Sequence, residues 1–491
     1  MASYISQSDR KVQIKTKIIC TIGPKTQSVE MLGKLVEAGM NVMRMNFSHG
    51  THQYHQKTIE NLRVCLNQMK NSRNVAILLD TKGPEIRTGK LKDGKDVKLV
   101  AGDYFTFYTD TQVVGDENGV CTSYTALPMT VAPGDRILVD DGLLGFTVLE
   151  CHPDRVYCQI ENNGMLGETK GVNLPGLIVD LPAITEKDRA DILFGVEQGV
   201  DFIAASFIRK ATDVLAIREI LGDSGIKIIS KIENQEGLEN FDEILQVSDA
   251  IMVARGDLGV EIPVEQVGRA QKMMIRKCNF AGKPCITATQ MLESMIINPR
   301  PTRAESSDVY NAILDGSDCV MLSGETAKGA HPVAAVEMMA RICREAELDI
   351  NYTEVYSSLR KQIRLPITVS EAIASSAVKT SWDVHAAMIV ILTESGNMAY
   401  SICKYRPIAP VMAVTSSARV ARQMLICRGI YPELVDSMQG TENVLHKAML
   451  SGVQKGMAIK DDHVVVTSGV IEQVSGSTNM LKVLKCVGFD V

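Results

Sequence analysis

Short apolar runs rich in Val and Ile alternate with longer stretches of helical period as far as about residue 350. The runs predict strands at Lys17–Ile22, Asn41–Ser48, Val75–Thr81, Phe202–Phe207, Lys227–Glu233, Ala250–Ala254, Cys285–Thr289 and Cys319–Ser323. Helical patterns such as Ser28–Ala38, Asp188–Glu197, Ala211–Leu221, Val264–Ala281 and Val333–Leu348 lie between them. Eight strands, each followed by a helix, are the pattern of a (β/α)8 TIM barrel.

One interval breaks this rhythm. Between Arg87 and Val179 the chain reads as short strands, at Asp103–Thr109, Arg136–Val139, Phe146–Leu149 and Val156–Ile160. Turn signals stand at Pro133-Gly134-Asp135 and Asn162-Asn163-Gly164, and no helical pattern is visible. This predicts an all-β domain inserted after the third barrel strand, at the mouth where barrels carry their sites, and placed to act as a lid. Beyond Asn351 a fresh α/β domain begins, with a helix at Ser370–Thr380 and parallel strands at Ala387–Thr393, Val411–Thr415 and His463–Thr467. The expected division is an extension over 1–13, the barrel over 14–86 and 180–350, the β lid over 87–179, and the α/β domain over 351–491. In the last of these, the Thr393-Glu394-Ser395-Gly396 and Ser475-Gly476-Ser477-Thr478 loops present hydroxyls and backbone N–H groups suited to a phosphate, or serve only as turns.

Composition narrows the function. At 491 residues the chain is too long for one core. A net charge of −6 and a single Trp argue against nucleic acid as a partner. Twelve scattered Cys with no C-x-x-C pair read as reduced thiols. Met1–Arg10 is polar, no apolar run approaches a membrane span, and Gly488–Val491 is no retention or peroxisomal signal, so a cytosolic protein without a membrane partner is expected.

The chemistry gathers at strand ends. Lys231-Ile232-Glu233-Asn234 follows Ile226–Ile229, and Arg255-Gly256-Asp257 follows Ala250–Val253. Lys231 and Glu233, two apart on a strand, share a face. A buried lysine needs an anion, and Glu233 supplies one. Asp257 at the end of the next strand would leave surplus negative charge, which calls for a cation such as Mg²⁺. Lysine beside such an ion can stabilise a transferring phosphoryl group; a Schiff base is the second use.

Other strand ends add to this set. Arg44, Asn46 and Ser48 share one face of strand two, opposite Met43, Met45 and Phe47. Strand three ends in Leu79–Arg87, where Asp80 offers a hard ligand and Arg87 a phosphate fork. Strands seven and eight end at Thr289 and Ser323, hydroxyls that either relay a proton or cap the following helix.

Seven segments then carry a resemblance: Met45–Gly50, Leu79–Thr88, Lys170–Gly176, Ile229–Asn234, Ala254–Gly259, Thr289–Met295 and Leu322–Gly329. In this order and spacing they resemble the pyruvate kinases, from about residue 14 to the end. The resemblance implies phosphoryl transfer from phosphoenolpyruvate to ADP. It implies that Glu233 and Asp257 hold Mg²⁺ (or Mn²⁺), and that Lys231 stabilises the transferring group. Arg44 and Arg87 match active-site arginines, and Gly256, Asp257 and Thr289 match substrate contacts. Asn46, His49, Tyr54 and Lys170 match nucleotide contacts. Whether Thr289 or Ser323 relays the proton to the enolate stays open. A homotetramer is the family expectation.

Two branches of the family differ in monovalent-cation use. Glu85 in the Gly-Pro-Glu segment, with Thr81, Lys82 and Thr88, resembles the K⁺-dependent branch, in which Asn46, Ser48, Asp80 and the Thr81 carbonyl match the K⁺ ligands. Relatives activated by fructose-1,6-bisphosphate carry Lys where this chain has Glu394, and the Ser468–Gly476 loop lacks their Trp and Arg. Little or no activation by that sugar is expected, and Thr393, Ser395 and Gly396 either cradle a monophosphate effector or serve no effector at all. Two other functions compete: a lyase or aldolase acting on a pyruvate enolate, separable by ADP dependence, and a non-catalytic scaffold, which would tolerate damage at Lys231, Glu233, Asp257 or Thr289.

Overall fold

Eight parallel strands close into a barrel because the first, Lys17–Thr21, pairs with both the second, Met40–Asn46, and the eighth, Cys319–Leu322. The others are Ala76–Asp80, Phe202–Ala205, Lys227–Ile232, Ala250–Ala254 and Cys285–Ala288. The computed structural model describes residues 13–69, 74–469 and 478–487.

Period two along these strands builds two cores. Ile18, Cys20, Met43 and Met45 pack outward against the helices. Ile19, Val42, Leu78, Ala204, Ile229, Met252, Ile286 and Met321 fill the barrel interior. Two residues further along four of these strands stand Arg44, Asp80, Ser206 and Lys231, all buried. The interior is thus apolar below and polar at the C-terminal mouth, the end where barrel enzymes place their chemistry. At the opposite end Leu425 and Ile426 of the C-terminal domain join the interior cluster and plug the barrel.

Most of the strands read from sequence end one or two residues early in the structure. Phe207 and Thr289, read as strand residues, have φ of +55° and +69° and lie in turns. Ser48 likewise lies past strand two, where its N–H donates to Asn46 Oδ1 at 3.1 Å. Apolar alternation runs smoothly across these points, so the pattern alone does not mark the turn.

The inserted segment forms a seven-stranded sheet, in the order Ile86–Arg87, Gly171–Asn173, Arg136–Val139, Leu144–His152, Arg155–Ile160, Tyr104–Tyr108, Gly119–Cys121. Phe105, Phe107 and Phe146 meet at its centre with ring centroids 5.1–5.3 Å apart. Contrary to the sequence pattern it contains helical turns, Lys92–Gly94 and Leu127–Thr130, each too short to show a period.

The C-terminal sheet runs Ile430–Leu434, Val411–Thr415, Met388–Leu392, His463–Gly469, Thr478–Lys485, with the last strand antiparallel. Both edge strands escape the sequence pattern, because Pro432 and Glu433 interrupt one and Asn479, Lys482 and Lys485 the other. Of the phosphate loop expected at Ser475–Thr478 only Thr478 is described, as the start of the last strand; the rest, and nearly all of the expected extension over 1–13, lie outside the described residues.

Candidate active site

Lys231 is the hub of the polar layer. Its Nζ lies 2.9 Å from Glu233 Oε1 and 3.1 Å from Asp80 Oδ1, and donates to Ser206 Oγ at 2.7 Å. Arg44 completes the layer, with Nε donating to Asp80 Oδ2 at 2.6 Å and Nη1 to Thr21 Oγ1 at 2.8 Å. Burial works against the Lys231 ammonium, but Asp80 and Glu233 more than offset it and hold its pKa above the ordinary lysine value. Burial also opposes the Asp80 carboxylate, yet Arg44 and Lys231 keep it below the usual range.

Glu233 follows the fifth strand directly. The turn after strand four aims the Phe207 N–H at Glu233 Oε2, 2.6 Å away. Strand six ends at Ala254 as expected, and residues 255–261 form a helix that the sequence reading did not include, with Asp257 in its first turn. A carboxylate is favoured there by the helix dipole. The Gly256 N–H of the same turn donates to Thr289 Oγ1 at 2.7 Å.

Of the two readings of the Ser323 and Thr289 hydroxyls, relay or cap, the second does not hold: neither side chain caps the helix that follows it. Ser323 occupies the N-cap position of Gly324–Ala327 without a side-chain capping bond, and its N–H donates to Glu325 Oε2 at 2.7 Å. Thr289 Oγ1 meets the first turn of another helix and donates to the Ala288 carbonyl at 2.5 Å.

A cleft of about 310 Å³ opens between lid and barrel. The lid contributes Arg87, Asp140, Asp141 and Lys170, and the barrel contributes Phe207, Asn234, Asp257 and Glu261. Lys170 Nζ donates to Asp140 Oδ1 at 3.0 Å, and Arg87 is held by Glu85 at 2.5 Å and by the Thr169 carbonyl at 2.7 Å. Asn173 Nδ2 of the lid donates across to Glu261 Oε1 of the barrel at 2.7 Å.

The donor set fits a hard divalent cation. Burial raises the Glu233 carboxyl, and Asp257 adds to the rise. Burial also raises Asp141, with Asp257 and Asp140 adding to it. Asp257 thus repels both Glu233 and Asp141, a strain that a cation relieves. Among the described residues no group of three or more His, Cys, Asp or Glu forms a metal cage.

Residues 13–336 match the family description "Pyruvate kinase, barrel domain", and residues 371–484 match "Pyruvate kinase, alpha/beta domain". The chain belongs to the pyruvate kinase family. The pyruvate kinase of Dictyostelium discoideum is 53% identical over 479 residues, 96% of this chain and 94% of that protein. The cytosolic isozyme of Glycine max is 48% identical over 493 residues, 96% of this chain and 95% of that one. A crystal structure of a pyruvate kinase from Cryptosporidium parvum, 46% identical, superposes with a TM-score of 0.93 over 96% of each chain. Like other members of the pyruvate kinase family, the chain is a transferase built on a barrel and a C-terminal α/β domain.

Against this pyruvate kinase frame the residues read from sequence fall into groups. Arg44, Asp80, Lys231 and Glu233 make one bonded cluster. Arg87, Lys170 and Asp257 line the cleft, and Gly256 and Thr289 pair beside it. Asn46 ends strand two, and the Thr81 carbonyl accepts from Ser206 Oγ at 2.7 Å. His49 is exposed in the turn after strand two, and its carbonyl accepts from His55 Nε2 at 2.8 Å. Tyr54 lies in the helix His52–Gln68, edge-on to His55 with ring centroids 5.2 Å apart. Thr393, Ser395 and Gly396 sit apart, in the C-terminal domain, where the Gly396 N–H donates to Thr393 Oγ1 at 3.0 Å.

Sequence reading passed over Ser206, Asp140, Asp141, Asn173 and Glu261. Ser206 had a signal, since it continues the alternation Phe202, Ala204 into the polar layer. The Asp-Asp-Gly at 140–142 reads as an ordinary turn, and the Asn173–Glu261 contact joins residues 88 apart.

Proposed function

We propose that this chain transfers the phosphoryl group of phosphoenolpyruvate to ADP, with Lys231 as the central charge. The supporting observation is Lys231 itself, an ammonium between Asp80 and Glu233 at the mouth of the barrel. Its raised pKa favours use as a fixed positive charge over use as a Schiff-base nucleophile, which needs a depressed one. That preference weighs against the aldolase alternative.

In the reaction the bond between phosphorus and the enol oxygen breaks, and a new one forms to a terminal oxygen of ADP. Lys231 and Arg44 face the negative charge that spreads during transfer, and Arg87 offers a fork to phosphate oxygens. The enolate left behind takes a proton at C3, from the Thr289 or the Ser323 side, and becomes pyruvate. Glu233 and Asp257 would hold Mg²⁺, or Mn²⁺, which when bound neutralises phosphate and carboxylate charge. Asn46, Ser48, Asp80 and the Thr81 carbonyl are oxygen donors suited to K⁺, with Glu85 nearby in sequence and no lysine in its place. Asn46, His49, Tyr54 and Lys170 contact the nucleotide, and the Thr393–Gly396 loop takes a phosphorylated effector. The assembly is a homotetramer in the cytosol; the similarity to a cytosolic isozyme supports that location.

The test is pyruvate formation from phosphoenolpyruvate, ADP, Mg²⁺ and K⁺, run beside Mn²⁺ binding by electron paramagnetic resonance. Turnover that requires ADP, with Mn²⁺ binding weakened by about tenfold or more in Glu233→Gln and Asp257→Asn, is the expected result. No turnover overturns the reaction. Unchanged Mn²⁺ affinity in both variants overturns the metal assignment alone.

A further inference from the structure

Thr289 and Gln290 both have positive φ, +69° and +51°. A β-branched residue in that region is a rarity, and two non-glycine residues there in succession persist only where their surroundings hold them. One side chain does most of the holding. Arg255, at the first position of the helix that bears Asp257, turns away from the cleft with its side chain only 10% exposed. Its Nε donates to the Ala288 carbonyl at 3.3 Å, and its Nη2 to the carbonyls of Thr289 at 2.7 Å and Gln290 at 3.3 Å. Nη1 donates to Asp308 Oδ1 at 2.7 Å, which anchors the far edge of the fork.

The grip is returned one residue later. The Gly256 N–H donates to Thr289 Oγ1. Side chain 255 and backbone 256 therefore bind the same turn from the same helix end. The Thr289 hydroxyl is fixed relative to Gly256, and Asp257 is the next residue. A planar fork that meets three successive carbonyls has no equivalent in a lysine, whose ammonium is a single point.

We propose that Arg255 is a positioning residue for proton transfer at C3: it holds the strained turn that sets the Thr289 hydroxyl beside the Asp257 helix. The inference rests on the reaction proposed above and goes beyond it by naming what places the hydroxyl. The Arg255 fork is spent on backbone carbonyls and Asp308, so it acts through Thr289. The proton step can be read without phosphoryl transfer. With pyruvate bound, a C3–H bond breaks, the proton leaves through the hydroxyl to solvent, and a deuteron from D2O returns to C3. No electrons move.

The experiment follows deuterium entry into the pyruvate methyl group by NMR, with Mg²⁺, K⁺ and inorganic phosphate present, for the full chain and for Arg255→Lys and Asp308→Asn. Mn²⁺ affinity and the thermal midpoint are measured on the same samples. The expected result is exchange slowed by about tenfold or more in Arg255→Lys, within the range a positioned acid–base group contributes. Mn²⁺ affinity and the KM for phosphoenolpyruvate stay close to the parent's. Asp308→Asn, which weakens the carboxylate clamp on both Nη atoms and leaves the donors to the three carbonyls in place, shows a smaller loss of the same kind and decides the matter if Arg255→Lys does not fold. Exchange at the parent rate, or a loss that merely tracks Mn²⁺ affinity and folded fraction, overturns the proposal. If the parent chain makes no pyruvate from phosphoenolpyruvate and ADP, the underlying reaction fails and this inference falls with it. An active parent with an indifferent variant sinks this inference alone.

Discussion

Lys231 and Asp80 meet at 3.1 Å although their strands are not neighbours. Strand four, Phe202–Ala205, lies between them, and Ser206 at its end bonds to both, at 2.7 Å to Lys231 and 3.2 Å to Asp80. The three side chains occupy the same layer because each stands two residues beyond an interior apolar position: Leu78, Ala204 and Ile229. Barrel geometry alone thus gathers an acid, a hydroxyl and an ammonium from residues as far as 151 apart in the chain. The pairing keeps Lys231 charged, which is what stabilisation of a transferring phosphoryl group requires.

Lys231→Met is therefore expected to lower kcat by on the order of 10²–10³-fold, the cost of removing one preorganised charge from a reacting centre. The KM for phosphoenolpyruvate should change much less, because Arg44 and Asp257 remain. Steady-state kinetics decide this. A rise in KM with kcat preserved would mean that Lys231 serves binding and not the transfer itself.

The same geometry shows what a sequence can disclose. The barrel strands announced themselves through Val- and Ile-rich runs, and the Lys231–Glu233 pair through its spacing of two. The strand ends did not, because Phe207 and Thr289 leave the strand by a change of backbone sign that apolar periodicity does not record. The short helix that carries Asp257 just past the Ala250–Ala254 strand went unread, since Arg-Gly-Asp carries no period. Arg255–Asp308 and Asn173–Glu261 are contacts between residues 53 and 88 apart. Only the closed fold brings them together.

Glu85 bears on the monovalent cation. Arg87 lies 2.5 Å from it and Lys82 3.8 Å, so its charge is already shared with two cations. In Glu85→Lys the new ammonium would stand in for K⁺. Replacing KCl by a tetramethylammonium salt should lower turnover of the parent by about tenfold or more, the effect of one missing charge beside the reacting group. The same exchange of salts should cost the variant distinctly less. Equal sensitivity in both would detach Glu85 from K⁺ use.

Glu394 offers a test of regulation. It is half-buried beside Thr393, in a loop whose hydroxyls and Gly396 N–H otherwise suit phosphate. A second negative charge at that point repels a bisphosphate. Fructose-1,6-bisphosphate is expected to leave the phosphoenolpyruvate saturation curve unchanged in the parent. Binding measured by calorimetry should strengthen in Glu394→Lys. Clear activation of the parent would show that the sugar is held elsewhere.

Lys17 gives the joint between barrel and C-terminal domain a pH-dependent contribution. It begins the first strand and is fully buried, with Nζ donating to the Ile430 carbonyl at 2.6 Å and lying 4.3 Å from the Tyr431 ring centre. Cys319, Cys427, Glu347 and Cys403 face it, but burial outweighs them and pushes its pKa down to about 8. A lysine whose folded pKa is depressed costs stability while it is charged. Below pH 8 both states hold the proton and the full cost is present. From about pH 8 to pH 10.5 the unfolded chain still holds it while the folded chain does not, so stability rises with pH. For a complete release the gain is about 3 kcal/mol. Lys17→Met lacks this term, and every other titrating group is common to both proteins. Denaturation midpoints measured from pH 7 to pH 10 should show the parent gaining on the variant as pH rises. A constant difference across that range would mean that the buried ammonium keeps its proton, compensated by Ile430 and Tyr431.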